Sequence, residues 1–226
     1  MSYINWPVSQ IATEIPGATA IFFENKINFC CDGNKTLADV VERKQLDPQP
    51  ILSALEQLNN RKENGTDLSN ASNQEVIDHL LVRYHGVHKA QLPELHRLAA
   101  RVELVHKDHP LCPTGLAQHL SNIFADLQQH MHKEEAILFP LLASGQEQMA
   151  VMPIQVMESE HDSHLHEIEK IYALTNDVTL HPGACNTWQA LYLGLQDFIT
   201  DLNMHIHIEN TVLFARAKQH ATGVAQ

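Results

Sequence analysis

Apolar positions follow the helical period along most of the chain, and they do so in two blocks. In the first, residues 10–13 and 16–25 suggest short helices, with Pro16 suited to a first helical turn. Thr36 can cap a helix running to Lys44. Asp47 with Pro48 opens another running to Leu58, whose Ile51, Leu52, Leu55 and Leu58 share a face. Residues 59–73 are polar and rich in Asn and Ser, which predicts a linker at 61–73. The second block holds four long amphipathic segments, near 74–107, 113–144, 153–175 and 182–220, with Pro93 a kink or local break in the first. Short connections between long helices predict an up-down antiparallel four-helix bundle over 74–220, preceded by a small helical domain over 1–60. No segment alternates as a strand would, so the expected class is all-α.

Composition narrows the partners. The formal net charge is −12, which argues against nucleic acid and against an anionic membrane surface. No stretch approaches the roughly 18 apolar residues of a membrane span. Residues 1–10 lack the basic and apolar regions of a signal peptide, so the expectation is a soluble cytoplasmic protein. Four cysteines, Cys30, Cys31, Cys112 and Cys185, are too few for a disulfide framework in 226 residues. Sixteen histidines spread through helical segments make metal binding the first explanation to test.

The histidines are not scattered at random. His130-Met131-His132-Lys133-Glu134 precedes Ile137-Leu138-Phe139, and His205-Ile206-His207-Ile208-Glu209 precedes Val212-Leu213-Phe214. In each near-copy a His stands four residues before a Glu, which puts both on one helix face. The preceding helices carry His85-x-x-His88 and His161-x-x-His164. From His85 to His130 is 45 residues, and from His161 to His205 is 44. His85 and His130 stand equally far from the turn between their helices, and the same holds for His161 and His205. At about 1.5 Å per residue each pair reaches the same height. Two helical hairpins related by a pseudo-two-fold would therefore bring His85, His130, Glu134, His161, His205 and Glu209 to one layer. Carboxylates there can bridge two metals, with imidazoles capping them. Four imidazoles with two carboxylates suit iron or manganese, and the excess of His favours iron.

The other polar residues fit this layer less well. His132 and His207 point two residues off the ligand face. His88 and His164 lie one turn away, and spacing leaves open whether they support the layer or exchange with His85 and His161. His106 would lie about 31 Å along a straight helix from His85. Glu135 and Glu160 read as solvated or hydrogen-bonding neighbours, and the Leu-Phe pairs as core.

These motifs resemble the hemerythrin-like domain. Together with Cys30-Cys31-Asp32-Gly33, Arg83-Tyr84-His85, Leu92-Pro93-Glu94-Leu95 and Val156-Met157-Glu158-Ser159-Glu160-His161-Asp162, the chain is similar to the RIC (Repair of Iron Centers) family over nearly its whole length. The resemblance implies two non-haem iron ions in a carboxylate-bridged centre on the six residues named above. It implies repair of iron–sulfur proteins damaged by nitric oxide or oxygen species, as an iron donor more than a turnover enzyme. It also implies a role for Cys30 and Cys31, an adjacent pair whose disulfide would be strained, and which suits transient metal or thiol exchange. Relatives often carry Gly where this chain has Asp32, whose charge beside the thiols disfavours the thiolate. Two other readings start from the same residues: a di-iron protein that binds or reduces nitric oxide, nitrite or oxygen, and an iron or redox sensor. A structural bundle with incidental zinc is a third. The pattern also allows a homodimer.

Overall fold

The computed structural model describes residues 3–27, 29, 34–60, 68 and 70–223. Cys30 and Cys31, and most of the expected linker, lie outside the described residues. The described chain is helical, with one isolated bridge between Pro7 and Thr36 and no strand.

The first helices are α1 (Val8–Glu14), α2 (Ala18–Glu24), α3 (Leu37–Lys44) and α4 (Pro48–Asn60). Thr36 caps α3 in a reciprocal box: its hydroxyl accepts from the Asp39 amide, and the Asp39 carboxylate accepts from the Thr36 amide at 3.1 Å. Asp47 accepts from the Gln49 amide at the start of α4.

The long spans are α5 (Asn73–Leu80), α6 (Gly86–Val105), α7 (Leu116–Lys133), α8 (Phe139–Ala143), α9 (Glu147–Thr175), α10 (Asn186–Ile208) and α11 (Phe214–Ala221). Ser72 and Glu75 form a second capping box at α5. Two expectations need correcting. The local break does not occur at Pro93: α6 runs on through it, although the proline removes one backbone bond and crowds the preceding turn. Helix α9 begins at Glu147, with Pro153 inside it and not at its start.

The interruptions fall elsewhere. Among the described residues, three five-residue π-helical turns join the spans, at Leu81–His85, Glu134–Leu138 and Glu209–Leu213. In each, the next amide bonds back five residues: Gly86 to Leu81, Phe139 to Glu134 and Phe214 to Glu209. Such a turn holds one residue more than an α-turn, and it re-aims the side chains around it.

Contacts divide the chain into two compact units. One comprises Met1–Gly65, Glu94–Ala117 and Leu174–Asp197. Its core includes Ile11, Phe22, Leu37, Leu55, Leu98, Trp188 and Tyr192, all buried. Gly194 makes room in it, since a Cβ there would stand 2.7 Å from Leu95. Asn186 donates to the Phe29 carbonyl at 3.3 Å, and the Arg97 guanidinium lies over the Phe23 ring. The other unit comprises Thr66–Pro93, Gln118–Ala173 and Phe198–Gln226. Leu80, Tyr84, Leu138, Phe139, Ile154, Leu213 and Phe214 are among its core, and the four spans of the bundle pack there around the polar layer described next.

Candidate metal centre

Every π-turn begins or ends on a residue of the predicted layer: His85, Glu134 or Glu209. His161 comes from the uninterrupted α9, and His130 and His205 from the last turns of α7 and α10. All six side chains are buried, the two carboxylates completely. The structure brings them together in two overlapping groups. His85, Glu134, His205 and Glu209 form one; His130, Glu134, His161 and Glu209 form the other. Within each group the ligand atoms lie within 4.8 Å of one another.

Both glutamates belong to both groups, and each divides its oxygens between them. Glu134 turns Oε1 to His130 Nε2 at 3.3 Å and Oε2 to His85 Nε2 at 3.4 Å. Glu209 turns Oε1 to His205 Nε2 and Oε2 to His161 Nε2, both at 3.1 Å. The Nε2 atoms of His85 and His205 face each other at 3.2 Å, and those of His130 and His161 at 3.1 Å. Neither Glu134 oxygen makes a well-formed hydrogen bond. Buried carboxylates so poorly satisfied are costly unless a cation joins them. The donor chemistry, imidazole and carboxylate converging in a dry core, fits a cation.

The far side of the imidazoles is built as carefully. His85 Nδ1 lies 2.8 Å from Glu135 Oε1, His130 Nδ1 2.9 Å from Glu160 Oε2, and His161 Nδ1 3.0 Å from Asn210 Oδ1. Each acceptor fixes a tautomer with Nε2 free to face the layer. Lys89 pairs with Glu135 and Lys133 with Glu160. Rings complete the packing: Phe139 against His85, Phe214 stacked on His161 and Tyr84 stacked on His205. Arg83 holds the first π-turn to α10 through two bonds to Asp201, at 2.6 and 2.7 Å.

These contacts set the charges. Burial pushes the His130 imidazole down, but Glu134, Glu209 and Glu160 outweigh it and raise it to about 9. The same contest, burial against Glu134 and Glu135, leaves His85 raised. Burial pushes Glu209 up, yet His205 and His161 hold it well below the usual carboxylate range. Among the described residues no carboxylate is hydrogen-bonded to His88 or His164. Burial, followed by the neighbouring imidazoles, holds His88 well below its ordinary value and brings His164 to about 3.

His132 and His207 are exposed. His106 belongs to neither group and contacts Cys185 Sγ at 3.2 Å. Cys112 and Cys185 are free thiols. The outer partner that sequence reasoning missed is Asn210. A signal for it exists, because Asn210 follows Glu209 as Glu135 follows Glu134, and each serves the histidine of a preceding helix.

Residues 76–217 match the model of the Hemerythrin HHE cation binding domain, and residues 4–59 match a domain described as of unknown function (DUF542). The chain is 46% identical to the iron-sulfur cluster repair protein YtfE of Dickeya chrysanthemi over 96% of its own length and 98% of the relative's. The chain belongs to the RIC family of iron–sulfur cluster repair proteins. Other members of this family are 45% identical, the probable iron-sulfur cluster repair protein of Haemophilus influenzae, and 43% identical, the YtfE of Yersinia pseudotuberculosis, over the same shares. A buried His/Glu layer in a cation-binding domain is thus a feature of this RIC-family chain. None of the helices among the described residues is long and apolar enough to cross a membrane.

Proposed function

We propose that this protein repairs iron–sulfur clusters damaged by nitrosative or oxidative stress, acting in the cytoplasm on damaged iron–sulfur proteins. In this reading His85, His130, Glu134, His161, His205 and Glu209 hold two iron ions. The observation that carries it is the division of the Glu134 and Glu209 oxygens between the two groups, which is the arrangement that bridging carboxylates require. The names of the relatives support the activity.

Two iron ions there would supply redox-active positions able to release iron or to bind a nitrogen oxide. The chain's own residues prepare them. Glu135, Glu160 and Asn210 orient three imidazoles, and burial excludes bulk water. Lys89 and Lys133 balance the outer carboxylates. Cys30 and Cys31 are proposed as thiols that exchange metal or a nitrogen oxide with the client. The two family matches support a boundary between a domain ending near 60 and a bundle beginning near 74.

The test is metal analysis of protein from iron-replete cells, joined to recovery of a nitric-oxide-damaged iron–sulfur enzyme. About two iron per chain and restored client activity are expected, with both reduced in Glu209→Gln. Zinc as the sole metal, or recovery that ignores Glu209→Gln, overturns the reading. A Cys30→Ser/Cys31→Ser double variant that repairs at full rate removes the thiols from it.

A further inference from the structure

The pseudo-two-fold predicts paired roles around the layer. Glu135 and Asn210 each follow a buried glutamate, and they hold His85 and His161. Phe139 and Phe214 pack on those same two imidazoles. Glu160 precedes His161 and holds His130 Nδ1. Its counterpart, preceding His85, is Tyr84, and Tyr84 lies flat on His205 at 5.4 Å and 5°. A stacked ring cannot accept the Nδ1 proton at its edge. Among these outer partners the match fails here, and His205 Nδ1 is buried without a partner among the described residues.

A second orphan lies beside it. His88 is 0% exposed, and both its ring nitrogens lack a partner among the described residues. Its ring centroid is 5.4 Å from that of His205, close, yet no direct hydrogen bond joins them. Histidines that face a metal nearly always donate their other N–H to an acceptor. Buried polar atoms are nearly always paired, through an enclosed water where no side chain reaches. Accepting the metal reading of His205, we propose that His88 is a positioning residue: His205 Nδ1–H donates to one enclosed water, which in turn donates to a ring nitrogen of His88. It does for His205 what Glu160 does for His130, without adding a charge. The group containing His85 and His205 then has one carboxylate behind its imidazoles and a neutral imidazole in place of a second acceptor. The group containing His130 and His161 has a carboxylate and an amide.

His164 is the built-in control. It is the repeat counterpart of His88 and packs on His130 at 4.8 Å, but His130 already has Glu160.

The experiment uses the full chain loaded with zinc alone, a diamagnetic probe, and follows the histidine ring protons by nitrogen-resolved NMR alongside zinc affinity. In the wild type, His205 should show a slowly exchanging Nδ1–H. His88→Phe should shift that proton or speed its exchange and weaken zinc at one position about tenfold. The His130 ring proton should stay in place, and His88→Gln should restore most of the loss. His164→Phe should leave the His205 signal and the zinc affinity as they are. An unchanged His205 signal and affinity in a folded His88→Phe protein overturns the proposal. So does an equal loss in His164→Phe, which would point to packing. Should His88→Phe not fold, a high-resolution crystal structure of the zinc-loaded wild type decides. A water within hydrogen-bond distance of both His205 Nδ1 and a His88 nitrogen supports the proposal, and apolar contact there overturns it. Failure of the wild type to take up zinc at the six residues would instead defeat the metal reading itself.

Discussion

Glu134 is fully buried, and its oxygens approach two imidazoles at 3.3 and 3.4 Å, beyond good hydrogen-bonding distance. Such a group serves the metal-loaded protein at the expense of the metal-free one. Glu134→Gln should therefore lower bound metal to half or less, while the chelator-treated variant melts no lower than the chelator-treated wild type. Metal analysis and thermal melts check both; a variant that keeps its metal but melts several degrees lower would make Glu134 a structural partner. His164 gives a pH test. Its folded value, about 3, lies below the unfolded value of about 6.5. Between these the unfolded chain carries a proton that the folded one excludes, so this contribution is intact above pH 6.5 and is lost as pH falls toward 3. From pH 6.5 to 5 the loss is about 2 kcal/mol. His164→Leu should flatten that part of the curve in urea titrations of metal-free protein, and an unchanged slope would contradict the burial argument. The six converging residues are legible in the sequence because side chains four apart share a helix face and the repeat fixes their heights. Asn210 is less legible, since an Asn beside a Glu on a helix carries no chemistry until the partner helix is in place.

At the scale of elements, the helices are legible from period and caps, as Thr36 and Asp47 illustrate. The π-turns are not, because one extra residue in a long helix barely disturbs an amphipathic pattern. Pro93 draws attention as the visible breaker, yet the helix runs through it, and the real irregularity at Leu81–His85 has no proline at all. The π-turns make their own prediction. Glu134–Leu138 takes in an extra residue between the frame that aims Glu134 and the frame that buries Phe139 and Leu142. Ala136 is exposed within it. Deleting Ala136 should restore a plain α-turn and keep Phe139 and Leu142 buried, at the cost of the re-aiming of Glu134 that the extra residue provides. Circular dichroism should show helix content retained. Metal affinity should fall about tenfold, in the range seen when ligand orientation is disturbed. Unaltered affinity would mean that the π-turn does not aim Glu134.

At the scale of the whole molecule, the polar layer lies in one compact unit, although the border between units falls inside continuous helices, as at Pro93 and Glu94 in α6. A ligand that binds only the folded state stabilises whatever must stay folded to hold it. Local opening, however, proceeds in cooperative pieces that need not match secondary structure. All six residues of the layer come from the unit Thr66–Pro93, Gln118–Ala173 and Phe198–Gln226. Metal loading should thus slow amide exchange most strongly there, with the largest gains in α7, α9 and α10 around His130, His161 and His205. Val8–Glu14, Leu37–Lys44 and Pro48–Asn60 should change much less, since they carry no residue of the layer. Hydrogen exchange with and without metal, read by mass spectrometry at peptide level, measures this directly. Within α6, peptides ending before Pro93 should gain more than those after it. Equal protection along all of α6 and in α1 to α4 would instead show that the chain opens as a single cooperative body, with the contact border carrying no thermodynamic weight.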